Sequence, residues 1–182
     1  MPANDLEDAE IRAIVTYLRS LAPGTRSGTS GDPAQGARIF FGSGACGACH
    51  MVRGEGGVLG PDLSDVGASR ATSYLVESIR EPDKDLTDGM ADPNDQYNVP
   101  LRYDTATVVL ASGQSLLGVA KNEDTFSIQL MDTAGIVHSL LKKDLKSVRH
   151  EHRSLMPAYP PSRLGARDLA DLVSYLESLR GR

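Results

Sequence analysis

The run Cys46-Gly47-Ala48-Cys49-His50 constrains this chain most, because it holds the only two cysteines among 182 residues. Two thiols cannot build a disulfide framework, so their meaning lies in their spacing. Thiols three positions apart can add to the two vinyl groups of one porphyrin while the adjacent imidazole ligates iron, and C-x-x-C-H therefore reads as covalent attachment of a c-type haem. Three other readings stand beside it. A thioredoxin-like pair would open a helix within a βαβ pattern, but Ala34 to Gly42 looks helical and nothing strand-like precedes it. A zinc knuckle lacks its second ligand pair. A chance match of five residues is the third.

The flanks bear on the choice. Asp32-Pro33-Ala34-Gln35 offers an N-cap, a proline at the first helical position and a capping-box glutamine, so a helix is expected over Pro33 to Phe41 with Gly36, Ile39 and Phe40 on one face. Gly60-Pro61-Asp62-Leu63 is a turn signal. Ser69 to Arg80 reads as one helix with Tyr74, Leu75 and Ile79 inward, stopped by Pro82. Leu169, Leu172, Val173, Leu176 and Leu179 recur at helical spacing near the end of the chain. Met156 stands before that helix in Ser154-Leu155-Met156-Pro157, expected as an exposed, proline-bounded loop.

In this order, Gly36-x-x-x-Phe40, Cys46-x-x-Cys49-His50, Gly60 to Leu63, Leu155-Met156-Pro157 and Leu172 to Leu176 resemble class I cytochrome c across about 80 positions, roughly residues 31–82 and 154–182. The resemblance implies one covalent haem c anchored by Cys46 and Cys49, with His50 the proximal and Met156 the distal ligand. It also implies that the Pro61 carbonyl accepts a hydrogen bond from the other ring nitrogen of His50, fixing the imidazole. The first and last helices would cross near Gly36.

Between Pro82 and Met156 the helical period stops. Thr105 to Leu110 and Ser115 to Ala120 flank the turn Ser112-Gly113-Gln114, Thr125 to Met131 alternates, Ile136 to Leu141 follows a second turn, and Leu145 to Arg149 is a candidate last strand. Four or five antiparallel strands are expected, with one buried face leaning on the haem segment and shielding a haem edge. The pattern from Ser112 to Asp124, ahead of Ser-Leu-Met-Pro, resembles the planctomycete and verrucomicrobial type of haem-binding domain. Those domains accompany quinoprotein and other periplasmic dehydrogenases, so the resemblance implies a redox partner of that kind. The expected fold is thus a mainly α cytochrome c fold with a small antiparallel β-sheet insertion, an α+β chain. Its divisions are 1–30 (extra helix and linker), 31–82 (first part of the core), 83–153 (a loop to about Pro100, then the sheet) and 154–182 (methionine loop and last helix).

Leu6 to Leu21 repeats Leu164 to Leu179 at constant offset, Ile11-x-x-Ile14-Val15-Thr16-Tyr17-Leu18 against Leu169-x-x-Leu172-Val173-Ser174-Tyr175-Leu176. The first helix is therefore read either as the closing helix of a preceding cytochrome domain, followed by a Gly/Ser linker over Thr25 to Gly31, or as an N-terminal extension packed on this one. Its apolar stripe needs a cover, and a homodimer through this helix is one way to supply it.

His150 and His152 stand near Met156 but in a charged run, where a solvated role is the expectation. His138 reads as structural, and Met51 and Met131 as packing residues. Lys142, Lys143, Lys146, Arg149 and Arg153 make a basic stretch, set against an acidic run from Glu77 to Asp95, that is either a solvated face or a docking patch. A net charge of −5 argues against nucleic acid. No apolar run reaches the roughly 18–20 residues of a membrane span. Charged residues interrupt every apolar stretch of the first thirty residues, so these are not expected to act as a signal peptide, and a periplasmic protein would have had its signal removed or replaced. The expected function is single-electron transfer from a periplasmic dehydrogenase to a respiratory acceptor, without enzymatic activity. The rivals are a haem-based sensor or enzyme whose methionine dissociates, and a structural module that recruits a partner through its sheet.

Overall fold

The computed structural model describes residues 7–21, 30–84, 103–151 and 153–181. Helix α1 spans Asp8–Leu21 and α2 spans Pro33–Phe41. After a 3-10 turn at Cys46–Ala48 come a two-residue hairpin, β1 (Met51–Val52) and β2 (Glu55–Gly56), and then α3 (Val66–Ser69) and α4 (Thr72–Arg80). Strands β3 (Asp104–Leu110), β4 (Ser115–Glu123), β5 (Ser127–Asp132), β6 (Val137–Leu141) and β7 (Leu145–His150) follow, and α5 (Ala166–Ser178) closes the order.

Helix α2 forms where its cap signals place it. The Asp32 side chain accepts from the Ala34 N–H at 2.8 Å, and Pro33 opens the first turn. The capping box with Gln35 does not form, because the single backbone N–H of Asp32 donates instead to the Asp171 carboxylate of α5 at 2.6 Å. That bond ties α2 to α5 where they cross. A side chain on Gly36 would come within 2.6 Å of Tyr175 Cβ and overlap the Asp171 carbonyl, so only hydrogen at Gly36 permits the approach. Phe40, Leu75, Ile79, Leu164, Leu172, Val173, Leu176 and Leu179 then share one buried cluster. Each large side chain there contributes about 1.5–3 kcal/mol by leaving water.

The helix expected over Ser69 to Arg80 starts later, at Thr72, and a separate short helix, α3, ends at Ser69. Arg70 adopts an extended conformation (φ −123°, ψ 142°) and lays its guanidinium 4.8 Å from the Tyr74 ring centre. Contacts to α5 override the local periodicity: Gly67 N–H donates to the Leu179 carbonyl at 2.7 Å, and the Thr72 hydroxyl donates to the Glu177 carboxylate. Tyr74 is half-buried, whereas Leu75 and Ile79 are buried. The β1–β2 hairpin was not expected either. Its turn residues Arg53 and Gly54 both have positive φ (52° and 85°), the signature of a type I′ turn.

The five later strands form one antiparallel sheet in the order β6-β5-β4-β3-β7, so the last strand returns to pair with the first. Ala106, Val108, Ala120, Ile128 and Leu130 make a core on one face, closed by the half-buried Leu110, Leu116, Leu140, Leu145 and Val148 as the sheet curls. Both faces are used, not one. Val119 and Met131, directly opposed across β4 and β5, pack with Leu59 of the haem-motif segment, joined by Cys49 and Leu155. Helices and antiparallel sheet are both present, as the α+β expectation has it, but with a sheet of this size beside the helices the chain is not mainly α.

Helix α1 leaves Ile11 (44%), Ile14 (44%), Val15 (37%) and Tyr17 (62%) exposed, whereas Leu172, Val173 and Leu176, matching Ile14, Val15 and Leu18 of the repeat, are buried in α5. Residues 22–29 of the expected linker and 85–102 of the expected connecting loop lie outside the described residues, as does His152.

Candidate functional site

Cys46, Cys49 and His50 occupy one turn. The Cys49 and His50 N–H groups both donate to the Cys46 carbonyl, at 3.1 and 2.9 Å, so the three side chains stand at i, i+3 and i+4 on one side of that turn. Ala45 enters the turn in the left-handed region at φ 52°. Both thiols are free, and all three side chains line the same cavity. Burial pushes the Cys46 thiol up from its ordinary value, so it stays protonated at neutral pH. No sheet precedes the pair among the described residues, which removes the thioredoxin-like setting. Among the described residues, no group of three or more His, Cys, Asp or Glu side chains converges to make a zinc cage.

His50 is fixed from two sides. Its Nδ1 lies 2.9 Å from the Pro61 carbonyl oxygen, and its ring lies against Gly60, where a Cβ would stand 2.7 Å from Cε1 and 2.9 Å from Nδ1. Because a carbonyl only accepts, Nδ1 carries the proton and Nε2 keeps its lone pair for a ligand. Burial holds the His50 pKa below its ordinary value, with the Pro61 hydrogen bond opposing the shift more weakly, so the imidazole is neutral at pH 7.

Met156 is half-buried against the α2–α4–α5 core rather than exposed as expected, because its segment folds over the cavity. Two groups of contacts seat that segment. Before Met156, the Ser154 N–H donates to Asp83 Oδ1 at 2.7 Å and the Met156 N–H to the Ser154 hydroxyl at 3.0 Å. After it, Arg80 Nη1 donates to the Tyr159 and Leu164 carbonyls at 2.5 and 2.8 Å, and the Tyr159 N–H to the Ile79 carbonyl at 3.1 Å. Sequence reasoning missed Arg80, Asp83 and Tyr159. The Tyr159 hydroxyl donates to the Gly44 carbonyl at 2.5 Å, bracing the residues before Cys46, and Arg163 stacks 4.2 Å from its ring centre. An aromatic three residues after Met156 was the available signal for it.

The cavity measures about 1000 Å³, at the upper end of the roughly 300–1,000 Å³ typical of cofactor sites. Phe40, Leu59, Leu75, Ile79, Leu172 and Leu176 give it apolar walls; Arg70, Arg153 and Arg163 add cationic groups; Thr105, Val119, Glu123 and Glu151 add the edge of the sheet. One neutral imidazole with a free lone pair, two free thiols on the same turn and a thioether on a second segment form a donor set suited to a covalently held iron macrocycle.

The family model for cytochrome c matches residues 33–106. The matched stretch holds both cysteines, His50 and Pro61 and ends inside β3, short of Met156 and α5. No curated protein matches the chain. A cytochrome c domain is thus present, of the kind that carries covalent haem c and serves electron transfer, commonly without enzymatic activity of its own. Such domains are typically extracytoplasmic. No described helix is long and apolar enough to cross a membrane.

The remaining candidates are placed as follows. His150 also lines the cavity and pairs with Glu123 at 3.0 Å, and Lys142 holds the other oxygen of that carboxylate at 2.7 Å. His138 pairs with Asp132 at 2.7 Å within the sheet, and Met131 is buried. Arg149 pairs with Glu151, so at least two of the five basic residues serve local ion pairs.

Proposed function

We propose that the chain is a mono-haem electron carrier in which Cys46 and Cys49 hold the haem, His50 and Met156 ligate its iron, and Pro61 orients His50. The observation that carries this reading is the His50 Nδ1–Pro61 contact at 2.9 Å, with both thiols and Met156 on the wall of the same cavity. When bound, haem iron supplies a one-electron couple, and histidine with methionine sets it higher than two histidines would. The protein's part is to hold the imidazole neutral and aimed, to present the thioether from a segment anchored at both ends, and to keep water from the centre with apolar walls. With His50 and Met156 both serving as ligands, a bound haem would have no position left for a substrate.

The reading extends to the subclass and the setting. The sheet is an insertion of the planctomycete and verrucomicrobial type, dividing the cytochrome core into 31–82 and 154–182, and its cavity-lining residues Thr105, Val119 and Glu123 would cover one edge of a haem held there. The protein works in the periplasm and takes electrons from a quinoprotein-type dehydrogenase by small, transient contacts. Two copies associate through the exposed stripe of α1.

Expression behind an export signal in a host that matures c-type cytochromes tests the core of this. Covalent haem and a methionine-to-iron charge-transfer band in the oxidised spectrum are expected, and a spectrum without covalent haem refutes the assignment. Slow or absent carbon monoxide binding to the reduced protein separates a carrier from a sensor or enzyme with a dissociating methionine.

A further inference from the structure

We infer that Asp83 is a positioning residue for Met156, acting through Ser154; the inference rests on Met156 being the distal ligand. Asp83 Oδ1 accepts the Ser154 N–H at 2.7 Å, and the Ser154 hydroxyl accepts the Met156 N–H at 3.0 Å. The first bond joins residues 71 positions apart, the last turn after α4 and the first residues beyond the sheet. It staples together the two ends of the whole intervening excursion, and the second bond passes that fixed point on to the backbone of Met156.

Chemistry explains why such a staple matters at this place. A thioether is a neutral, weak donor, so the fraction of time it spends on a metal depends on how closely its backbone is held to the bonding position. Arg80 holds the segment only from Tyr159 onward. Without Asp83, the described residues just before Met156 would be tied to the sheet alone, by Leu155 packed against it and by the Glu151 N–H on the Thr105 carbonyl, and would follow any movement of the sheet. With it, the ligand segment is referenced to α4, which belongs to the haem core. A carboxylate accepting from an amide is a charge-assisted bond, stronger than a neutral one.

The test is made on the full, haem-loaded chain with Asp83→Ala, Asp83→Asn, Ser154→Ala and the double variant Asp83→Ala/Ser154→Ala. Removing either acceptor is expected to raise the rate of carbon monoxide binding to the reduced protein about three- to ten-fold, the loss of one hydrogen bond, and to weaken the methionine-to-iron band of the oxidised protein. Asp83→Asn, whose carboxamide oxygen still accepts, is expected to restore most of the parent behaviour. The double variant should be no faster than the faster single one, because the two residues act in series. A parental carbon monoxide rate and band in Asp83→Ala overturns the inference. Met156→Ala distinguishes this from failure of the ligand assignment: if that variant keeps the charge-transfer band, Met156 is not the ligand and the inference falls with it.

Discussion

His50 and Pro61 meet at 2.9 Å across a glycine, Nδ1 against carbonyl oxygen, with the flat of the imidazole resting where any side chain on Gly60 would have to go. Orientation and exclusion thus come from adjacent residues of one turn. A methyl at Gly60 would sit 2.7 Å from Cε1, closer than carbon atoms tolerate, and the ring cannot yield without leaving Pro61. Gly60→Ala is expected to lower the stability of the folded chain by about 1–3 kcal/mol and to reduce the yield of covalent haem, as read by urea unfolding and by the haem absorbance of purified protein. Parental stability and yield would show that the turn has slack.

A second close approach joins α2 to α5. Gly36→Val places branched carbons against the Asp171 carbonyl and Tyr175, forcing the helices apart and opening the core at Phe40. The expected cost is about 3 kcal/mol, measured as a shift in the urea midpoint. Gly54→Ala, at a hairpin glycine with open space around it, should cost less despite its positive φ.

Arg80→Ala leaves the Tyr159 and Leu164 carbonyls without their shared donor. The expected loss is about 1–3 kcal/mol, accompanied by faster carbon monoxide binding to the reduced protein. Arg80→Lys can replace one of the two bonds and should fall between.

The sheet carries its own pH dependence. Hydrogen bonding from His138, and then from the Ile136 N–H, holds the Asp132 carboxyl below its ordinary value of 3.8. A depressed carboxylate contributes stability that is present above the unfolded value and is lost as pH falls through the folded one. The urea midpoint of the parent is therefore expected to fall more than that of Asp132→Asn between about pH 5 and pH 2. Parallel profiles would show that this carboxylate adds nothing.

For α1, replacing Ile11 and Ile14 with glutamate puts charge into the exposed apolar stripe. Sedimentation velocity is expected to show a dimer of the parent chain converted to monomer, with the haem spectrum unchanged. A monomeric parent would leave the stripe to another cover.

Much of this architecture can be read from local pattern, and the exceptions share a cause. The helix at Pro33, the β3–β4 and β5–β6 hairpins and the helix at Leu169 follow from caps, turn glycines and periodicity that act within a few residues. The break at Arg70 does not, because it answers to Leu179 and Glu177, a hundred positions away. The same holds at the site. Cys46, Cys49, His50 and Met156 are conspicuous by type and neighbourhood, whereas Arg80 and Asp83 look like ordinary charges at a helix end. Their partners are backbone groups of residues 154–164, and no one-dimensional pattern marks a carbonyl or an amide as needing a distant side chain.

The return of β7 to lie beside β3 brings the sheet's entrance and exit together, with the Glu151 N–H donating to the Thr105 carbonyl at 2.8 Å. A module whose two ends are neighbours makes little demand on its host: it can grow, shrink or change its outer strands while the seam presented to the rest of the chain keeps its width. Variation among chains of this architecture should therefore gather at the β3–β4 and β5–β6 turns, at the end of the sheet away from that seam, where a new recognition surface can arise without retuning the redox centre.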